Sequence, residues 1–265
     1  MDLQTEKHTK LGSTMRKAGS ALALLAFAVS ARADLVQNGG FENTTCLTTA
    51  PAGFNCLAGQ FGDTGGGAVT SVADWTTTGY NFVYAPGAAD GNGSYGNQYG
   101  ANPLWGPGNG SANGLPATSP DGGNFIGADG DYETAPIQQT INGLIPDKQY
   151  TLGFWWAASQ QYGFDGATEQ YWSVSLGGET LNTTTYDLPS HGFSGWMFQT
   201  FNYTATSSSE VLSFLAVGNV QLPPFLLLDG VSLNQTPEPG YWIPGVGLLG
   251  LIGMRVLRSK KLVKS

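Results

Sequence analysis

The chain has 265 residues, 11 Lys and Arg against 19 Asp and Glu, and a formal net charge of −8. Between Asp34 and Gly240 the only basic residue is Lys148, against 17 acidic ones. A body so poor in cations cannot neutralise phosphates and is repelled by anionic membrane surfaces, which argues against nucleic-acid binding. Its length suits one domain with a sizeable core and flanking segments, and its wealth of Gly, Ser, Thr, Asn and Gln suits a neutral, hydroxyl-rich partner.

At the N-terminus, Arg16 and Lys17 precede the apolar run Ala21 to Val29, and Ala31-Arg32-Ala33 offers small residues for cleavage. That order reads as a signal peptide over residues 1–33, removed by signal peptidase after Ala33. Met15 offers a more compact start. The apolar run is too short for a spanning helix.

Residues 34–235 read as an all-β domain. Short strand-like runs are bounded by Gly, Pro, Asn and Asp. Leu35 to Gln37 opens the domain. Val69 to Trp75, Tyr80 to Tyr84 and Asn124 to Ala128 are weaker candidates. Ile137 to Ile141 precedes a turn. Gln149 to Ala158 alternates Tyr150, Leu152, Phe154 and Trp156 onto one face, and Tyr171 to Leu176 turns Trp172, Val174 and Leu176 inward. Gly177-Gly178 leads into a following strand. Met197 to Thr204, Val211 to Val217 and Phe225 to Leu233 complete the set. Many short antiparallel strands at this spacing predict a β-sandwich.

Cys46 and Cys56 both fall in the exported part, where a disulfide is the default; it would close a short loop and add about 2–3 kcal/mol. The stretch 58–123 is rich in Gly and Asn with scattered aromatics and reads as a long insertion of loops, where binding residues often sit. Asp129, Asp131 and Glu133 form an acidic cluster that reads first as a solvated turn. The same carboxylates are the candidates for an acid and base if the chain were an atypical glycoside hydrolase. No nucleophile elbow, Ser-His-Asp grouping or phosphate loop is present, and the reading is non-enzymatic. His191, between Ser190 and Gly192, reads as a loop residue. Trp75, Trp105, Trp155, Tyr162 and Tyr171 are the candidates for stacking on sugar rings. Tyr171 and Trp155 lie opposite the main apolar stripe, whereas Phe154, Trp156, Trp172 and Phe201 read as core.

In the last strand, alternation puts Leu227, Val231 and Leu233 on the face of Asp229. An ionised carboxylate in that company needs a partner, and few cationic side chains exist to supply one. A structural Ca2+ with hard oxygen ligands would serve.

The chain ends with Thr236-Pro237-Glu238-Pro239-Gly240, the apolar run Tyr241 to Leu257, and a basic end of Arg255, Arg258, Lys260, Lys261 and Lys264. As a helix the run would measure about 25 Å, just enough to cross a bilayer core, with the basic end in the cytoplasm. A permanent C-terminal anchor is one reading. Pro237, Glu238 and Pro239 ahead of the span resemble the PEP-CTERM sorting signal over residues 236–265. That resemblance implies processing by an exosortase. It also implies a destination in the cell envelope, outer surface or extracellular matrix of a Gram-negative bacterium.

The body resembles a second family. Leu35-Val36-Gln37-Asn38-Gly39-Gly40-Phe41-Glu42 is similar to the opening strand of galactose-binding-like jelly rolls. Gln138-Gln139-Thr140, Leu144, Tyr150-Thr151-Leu152 and Phe154 are similar to their central hairpin. Leu227-Leu228-Asp229-Gly230-Val231-Ser232-Leu233 is similar to their closing strand. The resemblance implies a jelly-roll β-sandwich and a carbohydrate-binding-module-like role. It also implies that Glu42 and Asp229 are positions holding the calcium, although the family carries a second Asp where this chain has Gly230. The resulting expectation is an exported, exosortase-sorted, non-catalytic protein that binds exopolysaccharide. The alternative is a structural or adhesive surface or biofilm protein without a sugar site.

Overall fold

The strongest alternating runs of the sequence become the inner strands of two facing antiparallel sheets. The computed structural model describes residues 33–47, 59–62, 67–91, 102–219 and 222–237, and the following statements concern these. The strands are β1 (Thr44–Cys46), β2 (Gly59–Gln60), β3 (Thr70–Val72), β4 (Asn81–Tyr84) and β5 (Phe125–Asp129). They continue with β6 (Ile137–Asn142), β7 (Gln149–Gln160), β8 (Thr168–Leu176) and β9 (Glu179–Asn182). β10 (Tyr186–Leu188), β11 (Met197–Thr204), β12 (Ser209–Gly218) and β13 (Pro224–Gln235) follow. One sheet has six strands in the order β11-β7-β13-β5-β4-β2. The other runs β10-β8-β12-β6, with β9 also paired to β8, and β1 and β3 form a separate ribbon. The sandwich expected from the sequence is therefore present.

The inner core lies between the sheets. Leu152, Phe154, Trp156, Ile126, Leu226 and Leu228 come from the six-stranded sheet; Trp172, Val174, Leu176, Ile137, Leu212 and Phe214 come from the other. Phe214 is its aromatic centre, 5.1 Å from Phe154 and 6.0 Å from Trp172, both edge-on. Such pairs add about 0.5–1.5 kcal/mol beyond the area they bury.

A second apolar layer lies on the outer face of the six-stranded sheet. Phe82, Tyr84, Phe125, Ala157, Phe225 and Leu227 pack there against Ala89, Leu104 and Leu115. The last three come from the Gly- and Asn-rich insertion. Its described residues hold β3 and β4 on the strand candidates Val69–Trp75 and Tyr80–Tyr84, and they also supply β2 and a cover over the sheet. Sheets covered on both faces carry continuous apolar runs instead of alternation, as in Phe225-Leu226-Leu227-Leu228 of β13, all fully buried.

Three expectations need correction. Leu35 to Gln37 is not a strand: its backbone reaches Leu233 O from Leu35 N at 3.0 Å, but Gln37 bonds instead to the side-chain amide of Gln139. The segment therefore bridges β13 and β6 through one glutamine. The expected central hairpin does not exist, because β6 pairs with β12 and β7 with β13 and β11 in the opposite sheet. The connection crosses the sandwich, and buried Leu144 closes that end of the core. Finally, Asp229 does not share a face with Val231 and Leu233. The β13–β7 register shifts between Asp229 and Ser232, where Gly230 has φ +57°. This bulge reverses the facing of side chains. Leu227 and Asp229 point outward, and Val231 and Leu233 point into the inner core.

Candidate functional site

A cleft of about 430 Å³ opens at one end of the six-stranded sheet, where β5 and β7 finish and β4 and β13 begin. Tyr80, Asn102, Asp129, Asp131, Tyr132, Gln161, Phe164 and Pro223 line it. Apart from Asp129, the last residue of β5, each comes from a segment just outside a strand or from the insertion, which is where a sandwich can vary residues without disturbing its core.

The aromatic wall is built in steps. Tyr80 packs edge-on against Phe82 of the outer layer at 4.6 Å, and Tyr132 packs edge-on against Tyr80 at 5.3 Å. Tyr132 is left 54% exposed, and Phe164 is also exposed. Asn102 ties the polar side together. Its Nδ2 donates to Tyr80 Oη at 2.9 Å and to Gln161 Oε1 at 3.3 Å, while its carbonyl accepts from Tyr84 Oη at 2.5 Å. Burial raises the Tyr80 phenol above its ordinary pKa, opposed by the Asn102 bond, so it stays neutral.

Asp129 ends β5 with only 2% of its surface exposed. Its Oδ1 accepts from Asp131 N at 2.9 Å and Tyr132 N at 3.0 Å, which folds the following turn. Burial pushes its carboxyl up to about 6; the two backbone N–H groups act downward and neighbouring Asp131 upward. The expectation of a solvated acidic turn fails for Asp129, because the turn folds back over its own first residue. Glu133 is exposed.

Two of the five expected sugar-contacting aromatics lie beside this cleft. Trp105 donates from Nε1 to Phe164 O at 2.9 Å, and Tyr162 packs against it at 4.6 Å. One face of the Trp105 indole is stacked on His191 at 3.8 Å, and His191 meets Asp165 Oδ1 at 2.5 Å. Trp105 therefore serves to fix the Phe164 loop, and Tyr162 remains exposed. His191 is a loop residue, as expected, held with φ +62°.

The other three aromatics are elsewhere. Trp75 is 3% exposed and packs between Phe41 and Phe214, with Nε1 bonded to Asn38 O. It belongs to the inner core, a correction to its reading as a sugar contact. Trp155 is half-buried beside exposed Phe198 at 5.0 Å, on the outer face of the six-stranded sheet near Gly230. Tyr171 is half-buried on the outer face of the five-stranded sheet. A second groove, of about 390 Å³, runs beside β6 among Gln37, Asp74, Thr76, Gln138, Gln139, Thr140, Asn142 and Val211. It has no aromatic wall, so the first cleft is the better candidate for a sugar ring.

The expected calcium pair falls near the bulge. Asp229 is fully buried; Ser119 Oγ donates to its Oδ2, and Gly230 N donates to its Oδ1 at 2.8 Å. Burial pushes its carboxyl up to about 8, and acidic Asp121 and Glu42 add to the rise against those two bonds. Glu42 Oε1 accepts from Asn124 N at 2.6 Å. A methyl placed on Gly40 would meet Asp121 Oδ2 at 3.1 Å, Glu42 Cγ at 3.9 Å and Asp229 Oδ1 at 4.0 Å, so the three acids converge on one glycine. They are hard oxygen donors of the type calcium takes. As placed, however, no group of three His, Cys, Asp or Glu among the described residues has metal-holding geometry.

Cys46 ends β1 and is disulfide-bonded, whereas Cys56 lies outside the described residues. The expected signal peptide over residues 1–32 and the expected membrane span 241–257, with Glu238 and Pro239, also lie outside them; Ala33 and Pro237 are at their margins. Among the described residues no helix is long and apolar enough to cross a membrane.

Sequence reasoning missed Tyr80, Asn102, Tyr132, Gln161 and Phe164 as cleft residues, and Asp121 and Ser119 as neighbours of Asp229. A usable signal existed for Tyr132 and Phe164, since each is a large aromatic in a Gly- and Asp-bearing turn just after a strand. None existed for Asn102 or Ser119, which come from the irregular insertion.

No family model matches the chain, and no curated protein matches it. Solved structures similar to it include carbohydrate-binding modules. One is TmCBM61 in complex with β-1,4-galactotriose, with 13% identity, TM-score 0.41, and coverage of 77% of this chain and 100% of that one. Another is a CBM4 module, with 18% identity, TM-score 0.33, and coverage of 76% and 99%. A third is the CBM22-1–GH10 portion of a Clostridium thermocellum xylanase, complexed with xylohexaose. It has 12% identity and TM-score 0.33, covering 64% of this chain and 28% of that one.

Proposed function

We propose that this chain is a non-catalytic carbohydrate-binding protein that holds a saccharide in the cleft at the end of the six-stranded sheet. The observation that carries the reading is the pairing of an aromatic wall, Tyr80, Tyr132 and Phe164, with the hydrogen-bonding groups of Asn102, Asp129 and Gln161 in one cleft. Aromatic faces suit the C–H faces of a sugar ring, and a few fixed polar groups give orientation. The setting is the cell surface or extracellular matrix, with exopolysaccharide as the ligand. Support for that setting is confined to the sequence: the signal-peptide pattern ending at Ala33, and Pro237, Glu238 and Pro239 ahead of the apolar span. In this reading signal peptidase and an exosortase process the two ends, and Cys46 pairs with Cys56 in the oxidising compartment. A structural Ca2+ at Asp229, with Glu42 and Asp121, would relieve the repulsion that those two acids exert on the Asp229 carboxylate. It would act on stability alone.

The test is a titration of the full chain against a panel of polysaccharides. A detergent without a sugar headgroup should be used because of the apolar tail. Saturable binding that Tyr132→Ala weakens about ten-fold, roughly 1.4 kcal/mol, supports the cleft. Failure of every polysaccharide would favour the structural or adhesive alternative. That alternative has its own observation in Phe198, 54% exposed beside Trp155 on the edge strand β11.

A further inference from the structure

The carboxylate at the base of the cleft has a property that a site for neutral sugars does not need. Asp129 is 98% buried, yet among the described residues only its Oδ1 has hydrogen-bond partners. Among the described residues no group bonds its Oδ2, and the residue lines the cleft. Among the described residues no cation lines the cleft, and the charge found acting on Asp129 is that of Asp131, which is like. A buried carboxylate without a counterion is costly, and the cost is offset best by a positive group that both hydrogen-bonds and neutralises. A sugar hydroxyl can donate one hydrogen bond to Oδ2 but leaves the charge in place. An ammonium supplies both. The walls agree with this, because Tyr80 and Tyr132, edge-on at 5.3 Å, present ring surface that attracts a cation as well as C–H groups.

Resting on the carbohydrate reading of the same cleft, we propose that its ligand is an amino sugar with a free, protonated amine, held by Asp129 Oδ2 between Tyr80, Tyr132 and Phe164. The N-acetylated form of such a sugar loses the charge and adds bulk at the point of contact. Saccharides bearing uronate or sulfate meet Asp129 with like charge and are excluded. Asn102 and Gln161, tied to each other and to Tyr80, orient the neutral hydroxyls of the ring.

The experiment is calorimetric titration of the full chain, slightly below neutral pH, with four tetrasaccharides of matched linkage: glucosamine, N-acetylglucosamine, glucose and galacturonate. The expected order is glucosamine tightest, at least about ten-fold over glucose and the N-acetylated form, with galacturonate not bound; a charge-assisted hydrogen bond accounts for that ratio. Asp129→Asn retains the acceptor for the Asp131 and Tyr132 N–H groups. It should reduce the glucosamine preference over glucose to about two-fold or less. The wild-type ranking is decisive even if that variant fails to fold. Equal or tighter binding of glucose or N-acetylglucosamine overturns the amine assignment. In that case a loss of binding in Tyr132→Ala shows that the carbohydrate reading of the cleft survives. Absence of glucosamine binding also overturns it, and absence of binding by all four turns the wider reading against the cleft as well.

Discussion

Asp129 and Asp229 sit on the same outer face of the six-stranded sheet, on adjacent strands β5 and β13. Phe225, the register partner of Asp129, precedes Asp229 by four residues, a span of about 13 Å along the strand. Both are buried and both carboxyls are raised, yet the two surroundings differ. Asp229 is closed in: Ser119 and Gly230 occupy both of its oxygens, and its charged neighbours are Glu42 and Asp121. Asp129 has one oxygen spent on backbone N–H groups and the other left toward a cleft with aromatic walls. The same residue type on the same face is thus a structural element in one place and an open acceptor in the other. The difference comes from what covers it. The Ser119 loop occupies Asp229 Oδ2, whereas the turn after Asp129 bonds back only to Oδ1 and the residue still lines the cleft.

The largest expected effect removes what the two aspartates share. Phe225 is fully buried in the outer layer, 6.0 Å from Phe82, and Phe225→Ala should cost about 3–5 kcal/mol in denaturant unfolding. A loss under about 1 kcal/mol would mean that the outer layer contributes little.

The next effect separates the two by pH. An acid whose folded pKa is raised binds more protons in the folded state. Its stabilising contribution is complete below the unfolded pKa and is lost as pH rises through the folded value. Without divalent cations, Asp229 should make unfolding free energy fall from about pH 4 to about 8. Asp229→Asn should remove most of that slope. Added Ca2+ should flatten it in the wild type if calcium replaces the proton; an unchanged slope would show that the proton alone neutralises Asp229. Asp129→Asn should affect only the narrower window from about pH 4 to about 6. A slope change reaching pH 8 in that variant would show that the two sites are coupled. The smallest stability effect is expected from Tyr132→Ala, within about 0.5 kcal/mol of wild type because the side chain is exposed, although saccharide binding should fall. A large loss of stability would make Tyr132 part of the fold and weaken its role as a wall of the cleft.

Some of this was readable from residues alone. Tyr150, Leu152, Phe154 and Trp156 alternate, as do Trp172, Val174 and Leu176, and all seven are buried in the inner core. Alternation is a local consequence of strand geometry, so the sandwich and its inner faces were within reach of the sequence. Both Tyr162 and Trp75 read as sugar contacts in the sequence, yet Tyr162 is exposed and Trp75 is buried, and no local pattern distinguishes them. Whether a tryptophan at a strand's end is covered depends on Phe41 and Phe214, which are distant in sequence.

The sequence by itself determined strand composition, the near absence of cations in the body, and the presence of buried-run signals such as Phe225 to Leu228. Tertiary structure decided the rest. The β6–β7 connection crosses between sheets, because pairing with β12 and β13 outweighs proximity along the chain. The bulge at Gly230 turned Asp229 outward by inserting residues into one strand of a pair, a change of phase that period-2 counting carries straight through. Asn102, Asp129, Tyr132 and Gln161 meet because four strand ends of one sheet coincide in space. Adjacency of that kind is a property of register between distant segments, and no local pattern of residues encodes it.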